Sequence, residues 1–125
     1  MTLAIVSCNK DTVPVTSSGS ITGKWRYTQY YYSIGGPPIY VSTVNTGQWI
    51  KFNSDGSFSG SVHQFADFKR YEMVNPSTIK FITPQQPGFR LYYLSLDSNH
   101  NSMTLSPADY ICIEGCGDIF KREGL

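Results

Sequence analysis

Cysteine, histidine and tyrosine are the side chains in this sequence whose types and spacing could do chemistry. Cys112 and Cys116 enclose Ile113-Glu114-Gly115. If those residues form a three-residue hairpin loop, the two sulfurs face each other across it and Gly115 takes the positive-φ position such a loop needs. A disulfide closing so short a loop contributes about 2 kcal/mol on the chain-entropy view. Two free thiols are the plain alternative, and a metal would need two further ligands that no nearby His or Cys supplies. The expectation is a Cys112–Cys116 disulfide, no metal and no cofactor. Asp97-Ser98-Asn99-His100-Asn101 begins like a calcium loop but places Ser102 where that loop needs Gly and Ala108 where it needs Glu. It reads instead as a polar hairpin turn. His63 and His100 lack metal-ligand spacing, Asp67 near His63 reads as a solvated loop residue, and the sequence has neither a nucleophile elbow nor a Gly-rich phosphate loop. Nothing in this set supports catalysis, so the chain is expected not to be an enzyme.

Binding chemistry has more to draw on. Aromatic residues make up 14% of the 125 positions, more than a small core needs. Tyrosine couples an apolar ring to a polar tip and suits a pocket for an amphiphilic molecule. Tyr27, Tyr31, Trp49, Phe58, Phe81 and Tyr93 are the candidate ligand-binding side chains. The competing expectation is that these rings simply fill the interior. Ten Lys and Arg against nine Asp and Glu leave a net charge of +1 with no basic stripe. A polyanion needs clustered cations, so nucleic acid is excluded as a partner.

The elements that must position these residues are strands. Ser and Thr fill 25 of the 125 positions, whereas there are only three Ala and six Leu, a strand-former's composition. Gly and Pro are spread along the chain and cut it into short segments. Residues 21–33 read as a first strand, with Trp25, Tyr27 and Tyr31 on one face and Lys24, Arg26, Tyr30 and Tyr32 on the other. Residues 34–46, containing Gly35-Gly36-Pro37-Pro38, read as a loop. Residues 47–53 and 57–65 read as a hairpin turning on Asn53-Ser54-Asp55-Gly56. Further strands are expected at 70–74, 78–83, 89–96, 102–106, 109–113 and 117–123. About eight antiparallel strands in up-and-down order can close into a barrel and remove the exposed edges. One domain, 21–125, is expected, preceded by a flexible polar tether at 8–20.

The start of the chain resembles a lipoprotein signal. Ile5-Val6-Ser7-Cys8 is similar to the lipobox of bacterial lipoproteins, in which the Cys becomes the acylated mature N-terminus. That resemblance implies a lipid on Cys8 and makes residues 1–7 a truncated signal remnant, because a full signal carries a basic region and a longer apolar core. The alternative is an ordinary thiol at Cys8. Gly23-Lys24-Trp25 resembles the Gly-x-Trp signature that opens lipocalin barrels. The Trp49 to Phe58 hairpin, the Ser102-Met103-Thr104-Leu105 strand and the Cys112 to Arg122 segment also look like the lipocalin-like domains of Gram-negative bacterial lipoproteins. The resemblance implies an all-β, single up-and-down antiparallel barrel closed at one end by Gly23, Trp25 and Arg122, with Arg122 stacked on Trp25. It further implies a non-catalytic protein of the cell envelope, at the outer membrane, periplasm or cell surface, held to the membrane only through its lipid. Its expected partner is a small hydrophobic or amphiphilic ligand. A second expectation is an interaction or inhibitor-like barrel with a filled interior that meets a partner protein through residues 34–46.

Overall fold

The computed structural model describes residues 21–84, 88–109 and 115–123. Cys8, the tether, Cys112 and most of the strand expected at 109–113 therefore lie outside the described residues. The fold is all-β. Among the described residues nine strands alternate with short turns: β1 (Gly23–Tyr32), β2 (Ile39–Ser42), β3 (Trp49–Phe52), β4 (Phe58–Gly60), β5 (Arg70–Asn75), β6 (Thr78–Ile82), β7 (Phe89–Leu96), β8 (Ser102–Pro107) and β9 (Cys116–Arg122).

All pairings are antiparallel, and the strands run in the order β4-β3-β1-β9-β8-β7-β6-β5. The last strand thus lies beside the first, as an up-and-down barrel requires. The remaining seam, between β4 and β5, is stitched by a bridge from Ser57 to Arg70, by the Phe58 amide donating to the Lys69 carbonyl at 2.9 Å and by the Tyr71 amide donating to the Gly56 carbonyl at 3.0 Å. The barrel is nearly closed, its seam joined near Ser57 and Arg70. The β3–β4 turn forms at Asn53 to Ser57 as expected: Gly56 takes φ +91° and its amide bonds to the Asn53 carbonyl at 3.0 Å.

Two local expectations are corrected. Residues 34–46 are not all loop, because β2 within them pairs with the upper half of β1, Tyr32 opposite Ile39 and Gln29 opposite Ser42. β3 pairs with the lower half, Gly23 opposite Phe52 and Arg26 opposite Trp49. The long β1 is thus shared end to end by two short neighbours. The second correction concerns residues 57–65, where the strand stops at Gly60 and a 3-10 turn covers His63–Phe65. Val62, Phe65 and Phe68 are all buried, and their three-residue spacing matches the period of that helix rather than the two of a strand.

The interior is a packed aromatic core. Phe81 is in ring contact with Phe58 at 4.9 Å and stacks on Phe68 at 4.8 Å, while Phe52 meets Tyr71 edge-on at 4.9 Å. Edge-to-face and offset geometries of this kind contribute beyond simple area burial. At the lower end of β1, Trp25 is fully buried and donates its indole N–H to the Ile21 carbonyl at 2.9 Å. The Arg122 guanidinium carbon lies 4.3 Å from the centre of the Trp25 ring, and its Nη1 and Nε donate to the carbonyls of Thr22 at 3.0 Å and His100 at 3.1 Å. Gly23 has φ +124°, and a side chain there would meet Arg122 Nη1 at 3.6 Å, so the conformation itself demands glycine. Lys121 points outward and is exposed.

Candidate ligand cleft at the open end

The other end of the barrel is open, and what lines it depends on one irregularity. Along β9 the alternation is unbroken: Arg122, Phe120, Asp118 and Cys116 share the inner face. Opposite them stand Trp25, Tyr27, Tyr30 and Tyr32, with the register shifting between Phe120 opposite Tyr27 and Ile119 opposite Gln29. One extra residue of β1 is accommodated there, a β-bulge at Thr28. The Thr28 hydroxyl ties it down by donating to the Ile119 carbonyl at 3.1 Å. Because side-chain direction alternates with a period of two, the bulge reverses the faces of everything beyond it. Tyr30 and Tyr32 therefore join Trp25 and Tyr27 on the inner face, their rings 6.3 Å apart and stacked. Tyr31, expected inside, pairs with Tyr40 on the outer face, ring centres 5.6 Å apart, and lies over Gly117.

The result is a cleft of about 630 Å³, within the size range of small-molecule sites. β1 supplies Tyr27, Tyr30 and Tyr32, with Tyr31 at the edge; β9 supplies Cys116, Gly117 and Asp118. Tyr92 and Pro107 form the far wall, and Thr43, Thr46, Gln48 and Gln64 bring polar groups from the segments around β2 and the 3-10 turn. At the floor Tyr27 donates its hydroxyl to Asp118 Oδ1 at 2.6 Å, and Gln64 Nε2 donates to the same oxygen at 2.9 Å. Tyr27 is held in place by stacking on Phe120, ring centres 5.2 Å apart.

Asp118 is half-buried, and loss of hydration pushes its carboxyl above the usual range even though the hydrogen bonds from Tyr27 and Gln64 favour the ionised form. Burial, and then the hydrogen bond and charge of Asp118, push the Tyr27 phenol up in turn, so it remains a donor at any ordinary pH. Nearby, Thr43 is 7% exposed and its Oγ1 makes no hydrogen bond among the described residues, while its amide donates to the Thr28 carbonyl at 2.9 Å. A buried polar atom without a partner is costly and usually has a reason.

The six ring positions expected to bind are thus split. Tyr27 lines the cleft, and Tyr31 touches only its rim. Phe58 and Phe81 are buried in the core below it. Trp49 stands on the outer face opposite Arg26, with Lys24 Nζ 4.8 Å from its ring centre. Tyr93 is also on the outside and 56% exposed. Asp118, Gln64, Thr43, Tyr30 and Tyr32 were not among the expected positions. Asp118 was the most accessible of them to sequence reasoning, since it lies two and four residues before Phe120 and Arg122 on a strand whose inward face those residues define.

The hairpin turn after β7 is a self-contained polar turn. Asp97 Oδ1 accepts from the amides of Asn101 at 2.8 Å and Ser102 at 3.1 Å, and these bonds hold its carboxyl below the ordinary value. His63 and Asp67 are both exposed. Among the described residues no three His, Cys, Asp or Glu side chains gather, and no helix is long and apolar enough to cross a membrane. No family model matches the sequence, and no curated protein matches it.

Proposed function

We propose that this chain is a lipocalin-like barrel, held at the cell envelope through a lipid on Cys8, that binds a small amphiphilic molecule at its open end and catalyses no reaction. The observation that carries the reading is the contrast between the two ends. One is sealed by Arg122 on Trp25 with its hydrogen bonds made. The other opens into a cleft of about 630 Å³ whose walls are tyrosine rings and whose floor holds a half-buried carboxylate. An apolar wall with a few convergent polar groups is the usual composition of a small-molecule site. A Cys112–Cys116 disulfide and a lipid anchor belong to the same reading, since both imply an oxidising compartment outside the cytoplasm.

The test is a broad library of fatty acids, sterols and aromatic metabolites, read by thermal shift and tyrosine emission, with Tyr30→Leu as the cleft variant and Arg26→Ala as the outer-face control. Ligands that stabilise the wild type and the control but not Tyr30→Leu support binding at the open end. No stabilisation by any compound overturns it. For the address, expression with the native upstream region should incorporate radiolabelled fatty acid that Cys8→Ala loses, and equal label in both forms removes the anchor. A second reading, a barrel that meets a protein through residues 34–46, is favoured by the exposure there of Ile34 (77%), Tyr40 (56%) and Val44 (50%). It gains if the library fails.

A further inference from the structure

We infer that the ligand of the open-end cleft is an organic ammonium ion, its nitrogen received by the Asp118 carboxylate and its flanks by the faces of Tyr30 and Tyr32. The inference rests on the binding reading above and narrows it to a chemical class. Three observations support it.

The first is an uncompensated charge. Asp118 Oδ1 accepts from both Tyr27 and Gln64, whereas Oδ2 accepts no hydrogen bond among the described residues. Among the described residues no lysine or arginine lines the cleft, and Arg90, the basic residue of β7, is paired with Asp109 at 3.2 Å. A half-buried carboxylate with no cation beside it is a poor structural device, because the hydrogen bonds from Tyr27 and Gln64 offset only part of its desolvation cost. A bound cation supplies that partner through a charge-assisted hydrogen bond.

The second is the wall material. Tyr30 lies directly opposite Asp118 on the neighbouring strand, and Tyr32 stacks beside it. Aromatic faces carry negative potential and attract ammonium groups, most strongly where water is thin. The third is the state of the carboxyl itself, which burial raises in the free protein and a neighbouring cation would lower again.

An anionic headgroup fits none of this, because it would meet Asp118 with like charge. A neutral alcohol would satisfy Oδ2 but gain nothing from the rings beyond contact.

The experiment uses three probes of similar size, 2-phenylethylammonium, 2-phenylethanol and 3-phenylpropanoate, titrated by calorimetry into the full chain and into Asp118→Asn. The expected result is ammonium binding at least about tenfold tighter than the alcohol, with the carboxylate weakest. In Asp118→Asn the ammonium preference should fall to about twofold or less while alcohol binding persists. Should Asp118→Asn fail to fold, Tyr30→Leu and Tyr32→Leu replace rings that are each 38% exposed, and each should cut the ammonium preference severalfold. If the alcohol or the carboxylate binds wild type as well as the ammonium does, the cation inference is overturned and ligand binding stands. If none of the three binds at millimolar concentration, the inference fails, and the library experiment decides the broader reading separately. A preference for ammonium that survives Asp118→Asn, or both tyrosine variants, also overturns it.

Discussion

Replacing Arg122 with Ala should strongly destabilise the closed end. Three interactions disappear together: the guanidinium over Trp25 at 4.3 Å and the hydrogen bonds to the carbonyls of Thr22 and His100 at 3.0 and 3.1 Å. The cation–π contact is worth about 0.5–2 kcal/mol, and each hydrogen bond from a charged donor at a half-exposed site about 1 kcal/mol net. The expected loss is therefore about 3 kcal/mol, with lost packing of the arginine stem over the indole included in the spread. For a urea m-value of about 1.5 kcal/mol/M, that lowers the midpoint by about 2 M. Arg122→Lys keeps a cation above the ring but not the planar fork that reaches two carbonyls, so about half the loss should return. Lys121→Ala, on an exposed outward position, should shift the midpoint by no more than about 0.3 M. The wild type and the three variants, unfolded in urea and followed by Trp emission, make the comparison. If Arg122→Ala and Lys121→Ala unfold together, the closed end is not held by this plug. Ligand affinity at the other end should be unchanged in all of them, since the variant positions lie at the opposite end of β1.

Glycine replacements should separate two kinds of crowding. A Cβ on Gly60 would lie 2.8 Å from the Trp49 carbonyl oxygen, which is backbone and cannot turn aside, whereas a Cβ on Gly117 would lie 2.6 Å from Tyr31 ring atoms on the outer face. Gly60→Ala should cost about 1–3 kcal/mol in a denaturant titration and Gly117→Ala less, with Tyr31→Ala rescuing only the second. Thr43→Val deletes the unpartnered buried Oγ1 and should stabilise the free protein by about 1 kcal/mol. A variant that is less stable instead would mean the hydroxyl is satisfied. Asp118→Asn tests the raised carboxyl. Its folded form holds a proton more readily than the unfolded chain, so its contribution to stability is complete below the ordinary carboxylate pKa and is lost as pH rises through the raised value. The variant lacks that loss and should gain on the wild type as pH climbs from acid to neutral. A difference in urea midpoint that does not change with pH would show that burial does not perturb this group.

What the sequence by itself determined is the class of fold, and its resemblance to lipocalin barrels pointed to the sealed end. Alternation with a period of two is a local property, and a run such as Trp49-Ile50-Lys51-Phe52 declares its buried and exposed faces without reference to any neighbour. The turn at Asn53 to Gly56 is equally local, because φ/ψ preferences of four residues decide it. Gly23, Trp25 and Arg122 were matched through the resemblance to lipocalin barrels, and the structure brings them together because the last strand lies beside the first. Some signals are present in the sequence but compete with others. The three-residue spacing of Val62, Phe65 and Phe68 marked a 3-10 turn inside what resembled a strand, and the alternation of Asp118 with Phe120 and Arg122 marked an inward carboxylate. Tertiary structure alone decided which tyrosines face the cleft. Tyr30, Tyr31 and Tyr32 are chemically identical, and a single unpaired residue at Thr28, forced by pairing β1 with β9, inverts the side on which each one lies. The same holds for β2, whose four residues become a strand because the upper half of β1 has no other neighbour on that side once β3 has taken the lower half. Register belongs to the pair of strands rather than to either strand, so no reading of one segment supplies it.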